Sequence, residues 1–152
     1  MQIETLKDVL HWTTEFHQHL SQCLTHCADS NENTRAKLLL DYLATHETKL
    51  AQILHRFEQT ANTNALNTWC YEYLDKHPII QHNQCDKPFA KMNTHEIMGI
   101  IVDQHEQLIS LYRYLQSRAD TVSAQELLGN LTSLEEHEAM QMMQSANRLE
   151  DI

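Results

Sequence analysis

In four long segments of this chain apolar residues return at helical spacing, and each stripe is broken near its middle by an imidazole or a carboxylate. The first segment runs from about Thr5 to Ala28 and carries Leu6, Leu10, Thr13, His17, Leu20 and Leu24 on one face. The second, from about Asn33 to Thr60, carries Leu39, Leu43, His46, Leu50, Ile53 and Phe57. The third holds Met98, Ile101, His105, Leu108, Tyr112 and Leu115. The fourth holds Leu127, Leu131 and Leu134, then Glu135 and Glu138, then Met142, Ala146 and Leu149. A period near 3.6 marks an amphipathic α-helix, and each apolar stripe needs a partner to cover it. Four stripes of similar length cover one another as a bundle. Only two Gly and two Pro occur in 152 residues, too few for the turns of a β-rich fold. The chain is therefore expected to be all-α.

Short polar breaks separate the first two helices and the last two, so each pair is expected to be an antiparallel hairpin. Asn93 with Glu96 has capping-box spacing at the start of the third helix, and Ser123 with Glu126 repeats it at the fourth. Between the hairpins lies a long crossover, about residues 61–93, with a short helix expected around Ala65 to Leu74. Trp69, Tyr71, Tyr73 and Phe89 mark it as packed against the bundle. It either returns along the outside, setting the third helix parallel to the second, or caps one end of an up-down-up-down bundle. Both remain open from the sequence. The expectation is one four-helix domain spanning residues 1–152. Gly99 and Gly129, inside the third and fourth helices, offer close backbone approach within the bundle or across a homodimer.

The formal charge of −10 argues against a nucleic-acid partner and against an anionic membrane surface. No apolar run approaches the roughly 18 residues of a spanning helix, and the first residues lack the basic and apolar regions of a secretory signal. The expected location is cytoplasmic. Cys23, Cys27, Cys70 and Cys85 have no CxxC spacing and read as free thiols. Cys23 and Cys27, one turn apart, form a soft-metal pair or, as favoured, small apolar groups on a helix flank.

Counted from the tight turns, the interruptions meet at one depth. His17 precedes the first turn by about as much as His46 and Glu47 follow it; His105 and Glu106 stand in the same relation to Glu135 through Glu138. Ionised carboxylates in a dry core are costly unless compensated, and no Lys or Arg points inward at this level, since Lys49 and Arg113 fall on the flanks. A divalent cation neutralises the carboxylates and uses the imidazoles as nitrogen donors. Nitrogen and oxygen donors without thiolate suit iron or manganese; zinc also fits, leaving part of the set unused.

The layer, the hairpin spacing and the long second connection together resemble the ferritin-like superfamily, the rubrerythrin and ferritin type. That resemblance implies two metal ions, iron first, at mid-depth in a four-helix bundle. Each hairpin would give a carboxylate from its first helix and a Glu-x-x-His pair from its second. No Glu-x-x-His occurs here. In its place stand EFH at 15–17, THE at 45–47, QHE at 104–106 and EHE at 136–138. Carried over by helical phase, the expected ligands are His46, Glu47, His105, Glu106, Glu135 and Glu138, with His17 beside them; Glu15 and His137 point aside. Reaction with oxygen or peroxide, as oxidase, peroxidase or sensor, is what the resemblance implies for activity.

Other readings stay in play. A hemerythrin-like carrier shares the bundle, but its HxxxE and HxxxH spacings are absent at this layer. A metal-free interaction module would use the polar layer to fix register. A haem between His17 and His105 is crowded out by the bulky stripe. Met140, Met142 and Met143 are read as core fillers over copper ligands. His77, His82 and Cys85 are read as a solvated loop over a surface metal site.

Overall fold

The computed structural model describes residues 3–70 and 89–150. Tyr71, Tyr73, His77, His82 and Cys85 lie outside the described residues, as does the end of the short helix expected to Leu74. Four long helices make the body: α1 (Leu6–Ser30), α2 (Thr34–Thr60), α4 (Thr94–Arg118) and α5 (Val122–Glu150), with a single turn, α3 (Thr63–Leu66), after α2. A 3₁₀ turn at Phe89–Lys91 precedes α4.

Side-chain caps satisfy free backbone N–H groups where each of the four long helices starts. Thr5 and Asp8 form a reciprocal capping box at α1, and Asn93 with Glu96 forms the expected one at α4. Asn33 caps α2 by accepting from the Ala36 N–H. The expected box of Ser123 with Glu126 does not form. The Thr121 hydroxyl accepts from the Ala124 N–H at 3.2 Å, so α5 starts earlier and Ser123 sits inside its first turn.

Paired contacts give the directions. His11 meets Glu58 and Ser21 meets the Ala44 carbonyl, so α1 and α2 are antiparallel. Thr94 meets Glu150, His105 meets Glu135 and Gln116 meets the Gln125 carbonyl, so α4 and α5 are antiparallel too. His46 meets Glu138 while Tyr42 meets Ser145, which makes α2 antiparallel to α5 and therefore parallel to α4. The crossover sets the third long helix parallel to the second.

Both ends of that crossover are anchored to α1. Beyond α3 the chain runs extended: the Leu6 N–H donates to the Thr68 carbonyl at 2.9 Å and the Cys70 N–H to the Glu4 carbonyl at 2.7 Å. The helix ends at Leu66 because these residues are engaged in satisfying the start of α1. At the other end the buried Asn31 amide donates to the carbonyls of Phe89 and Met92 at 3.0 and 3.2 Å. The connection thus leaves from the first residues of α1 and returns at its last. Of its aromatics, Phe89 is buried and Trp69 is half exposed.

A buried cluster runs along the bundle axis, including Leu10, Leu24, Leu39, Leu43, Leu50, Ile101, Leu108 and Leu131. Met142 belongs to it, whereas Met140 and Met143 are exposed, so only one of the three methionines fills the core. Gly99 faces open space, and Gly129 faces the flexible Gln116 side chain. No described helix is long and apolar enough to cross a membrane.

Candidate metal centre

Four fully buried side chains, one from each long helix, meet halfway along the bundle: His17 of α1, Glu47 of α2, His105 of α4 and Glu135 of α5. They close a ring. His17 Nδ1 lies 2.5 Å from Glu47 Oε2 and its Nε2 lies 2.7 Å from Glu135 Oε1. His105 Nδ1 lies 2.9 Å from Glu135 Oε2 and its Nε2 lies 2.7 Å from Glu47 Oε1. Every ring nitrogen faces a carboxylate oxygen. With both imidazoles protonated, all four N–H groups donate and two positive charges balance two negative ones.

Burial alone would drive His17 toward its neutral form, but Glu135 and Glu47 outweigh it and raise the imidazolium from 6.5 to about 9. His105 is raised likewise to about 10, against its burial, chiefly by Glu47 and by the bond to Glu135. Burial pushes the Glu47 carboxyl up, yet His105 and His17 hold it at about 2. Glu135 is held at about 2 by His17 and His105 against the same desolvation.

One turn from the ring a second pair sits nearer the surface. His46 Nδ1 is 3.1 Å from Glu138 Oε2; Glu138 is buried, and His46 is partly buried under the Tyr42 ring, centroid to centroid 4.4 Å. Glu138 stands one turn beyond Glu135. The corresponding position beyond Glu47 is Leu50, buried and apolar. The two flanks of the layer therefore differ in donors.

Of the residues singled out from the sequence, the layer unites His17, His46, Glu47, His105, Glu135 and Glu138. Glu106 is exposed and turned away from them, and so are Glu15 and His137, which bonds Gln141 at 3.1 Å. Lys49 is exposed, and exposed Arg113 pairs with Glu136. Among the described residues no Lys or Arg is buried. Cys23, Cys27 and Cys70 are buried thiols.

The donor set, three imidazoles and three carboxylates, is nitrogen and oxygen without thiolate, the chemistry that suits a divalent cation. One ligand atom from each of His17, Glu47 and His105 lies within 4.8 Å of the others. The sequence reading passed over Tyr112 as a polar group. Among the described residues its buried hydroxyl has no hydrogen-bond partner; the neighbouring Thr13 hydroxyl donates to the Leu10 carbonyl at 3.0 Å. The signal was its place two turns beyond His105 on the same inward face. Because α4 runs parallel to α2, Tyr112 and Leu50 share one flank of the layer.

No family model matches the chain, and no curated protein matches it. In three dimensions it is similar to the crystal structure of a Thermotoga maritima protein described as a ferritin-like diiron-carboxylate protein. The TM-score is 0.64 at 14% identity, covering 94% of this chain and 95% of that one. Two antiparallel hairpins, joined by a crossover that sets the second and third long helices parallel, give this chain a ferritin-like fold.

Proposed function

We propose that the protein binds two divalent cations, iron first, through His17, His46, Glu47, His105, Glu135 and Glu138, and that the loaded centre reacts with oxygen or peroxide. The observation that carries this reading is the convergence of three buried carboxylates and three imidazoles from all four long helices, with no buried Lys or Arg among the described residues. The diiron-carboxylate description of the Thermotoga maritima protein supports it.

Bound iron supplies one-electron chemistry toward oxygen species, which these side chains alone lack. Glu47 and Glu135 each present one oxygen to His17 and one to His105, and both carboxylates would hold the metal and balance its charge. His17 and His105 each release one proton to become nitrogen donors. His46 and Glu138 add donors on one flank. On the other flank Leu50 leaves the Tyr112 hydroxyl as a hydrogen-bonding group for a small incoming ligand. Apolar layers above and below exclude bulk water.

The closed ring also favours a second reading: it satisfies itself without metal, as a structural polar layer would. Anaerobic ferrous titration of metal-stripped protein, followed by elemental analysis and by mixing with oxygen or peroxide, separates the two. The metal reading expects about two equivalents in wild type and their loss in Glu135→Gln and His46→Ala. A wild type that takes up no metal and melts unchanged in its presence would leave the structural reading standing.

A further inference from the structure

A second group of metal-ligating side chains lies on the surface of the first hairpin, away from the central layer. His11 and Glu15 stand one turn apart on α1, and His55 and Glu58 stand one turn apart on α2. His11 Nε2 is 3.0 Å from Glu15 Oε1, and His11 Nδ1 is 3.3 Å from Glu58 Oε1. His55 Nδ1 is 3.8 Å from Glu58 Oε2. Glu58 Oε2 also lies 3.5 Å from His11 Nδ1, so the one carboxylate stands between both imidazoles, and no Lys or Arg takes part in these contacts.

We propose that His11, Glu15, His55 and Glu58 form a peripheral site for a borderline divalent cation of the zinc type, clipping α1 to α2. Two nitrogens and two carboxylate oxygens from two helices match the four-ligand preference of zinc. Glu58 is the fixed point, its side chain only 13% exposed, while His11 and His55, at 41% and 56%, have room to turn onto a cation seated at its carboxylate, His55 exchanging its 3.0 Å contact with the Gln59 amide. With neutral imidazoles the four residues carry two negative charges on a chain of net charge −10, which draws cations to them. His11 precedes His17 by six residues, roughly 9 Å along the helix, and stands on the solvent side. The site is separate from the central layer and independent of what that layer binds.

The test is a calorimetric Zn²⁺ titration of metal-stripped protein, comparing wild type with His11→Ala, His55→Ala and the double variant. Both imidazoles are solvent-accessible, so the three metal-free variants are expected to melt within a few degrees of wild type. Wild type is expected to bind one equivalent more than the double variant, and each single substitution weakens that equivalent at least tenfold. Zn²⁺ should also raise the Tm of wild type more than that of the double variant. A wild type whose only equivalent is the one lost in the double variant would keep this site and remove the central one. Equal stoichiometry and affinity in wild type and the double variant would overturn the proposal.

Discussion

Glu47 and Glu135 face each other across the bundle and share the same two histidines, His17 and His105, through all four of their carboxylate oxygens. Removing one partner leaves buried imidazolium donors unmatched, and breaking a buried pair in this way costs about 3–5 kcal/mol. Glu135→Leu is therefore expected to lower the urea-unfolding free energy of the metal-free protein by that amount. Replacing all four ring residues by Leu removes the charges together and should recover most of the loss. A single substitution costing less than about 1 kcal/mol, the size of one ordinary hydrogen bond, would show that the ring does not hold the fold.

The pH dependence follows from the direction of each shift. His17 and His105 are raised from 6.5 to about 9 and about 10, so their stabilisation is complete below 6.5 and is lost as pH rises through 9 to 10. Glu47 and Glu135 are lowered from 4.5 to about 2, so theirs is complete above 4.5 and is lost as pH falls toward 2. Metal-free protein is expected to be most stable, as far as the ring decides it, between pH 4.5 and 6.5. Thermal melts across the range should fall off on both sides of this window. Variants lacking the ring should show a flatter profile.

Metal and protons compete for the same ring nitrogens. Uptake of Mn²⁺ or Zn²⁺ at the centre must displace one proton from each of His17 and His105, so apparent affinity is expected to rise with pH up to about 10. Calorimetry in buffers of different ionisation enthalpy counts the protons released. Binding without proton release would mean that the ring stays intact and the ion sits elsewhere.

Glu106 and Glu138 separate residue type from position. Both follow a histidine in an HE pair, yet Glu106 is exposed and Glu138 is buried against His46 at 3.1 Å. Glu106→Ala is expected to leave metal stoichiometry unchanged and stability within about 0.5 kcal/mol, as for other surface substitutions. Glu138→Ala should reduce the metal content. Equal losses in both would put Glu106 among the ligands.

Tyr112 offers a test of the unpartnered hydroxyl. A buried polar group left unsatisfied costs about 1–3 kcal/mol, so Tyr112→Phe is expected to stabilise metal-free protein or leave it unchanged. In metal-loaded protein the same change should weaken azide binding at the centre, read from its optical band, without altering the metal content. A clear loss of stability in the metal-free variant would reveal a hydrogen-bond partner for the hydroxyl.

Helical period and scarce Gly and Pro are local properties of the chain, and they were sufficient for the four helices, the two hairpins and the depth of the polar layer. The Asn93 box could be read because its partners are three residues apart and answer only to each other; the Ser123 box failed because Thr121, two residues earlier, reached the same helix start. Tertiary structure alone decided the rest. Whether α4 ran parallel or antiparallel to α2 depended on where the crossover was tied down, at Thr68 and Cys70 beside the start of α1 and at Phe89 and Met92 beside Asn31. Phase along a single helix leaves neighbouring positions ambiguous by a fraction of a turn, so Glu47 and Glu106, both one step past a histidine, were equivalent in the sequence. Packing rotated α2 to bury Glu47 and α4 to expose Glu106. Each ring contact joins residues on different helices, 30 or more positions apart in the chain, and no local spacing encodes such a pairing.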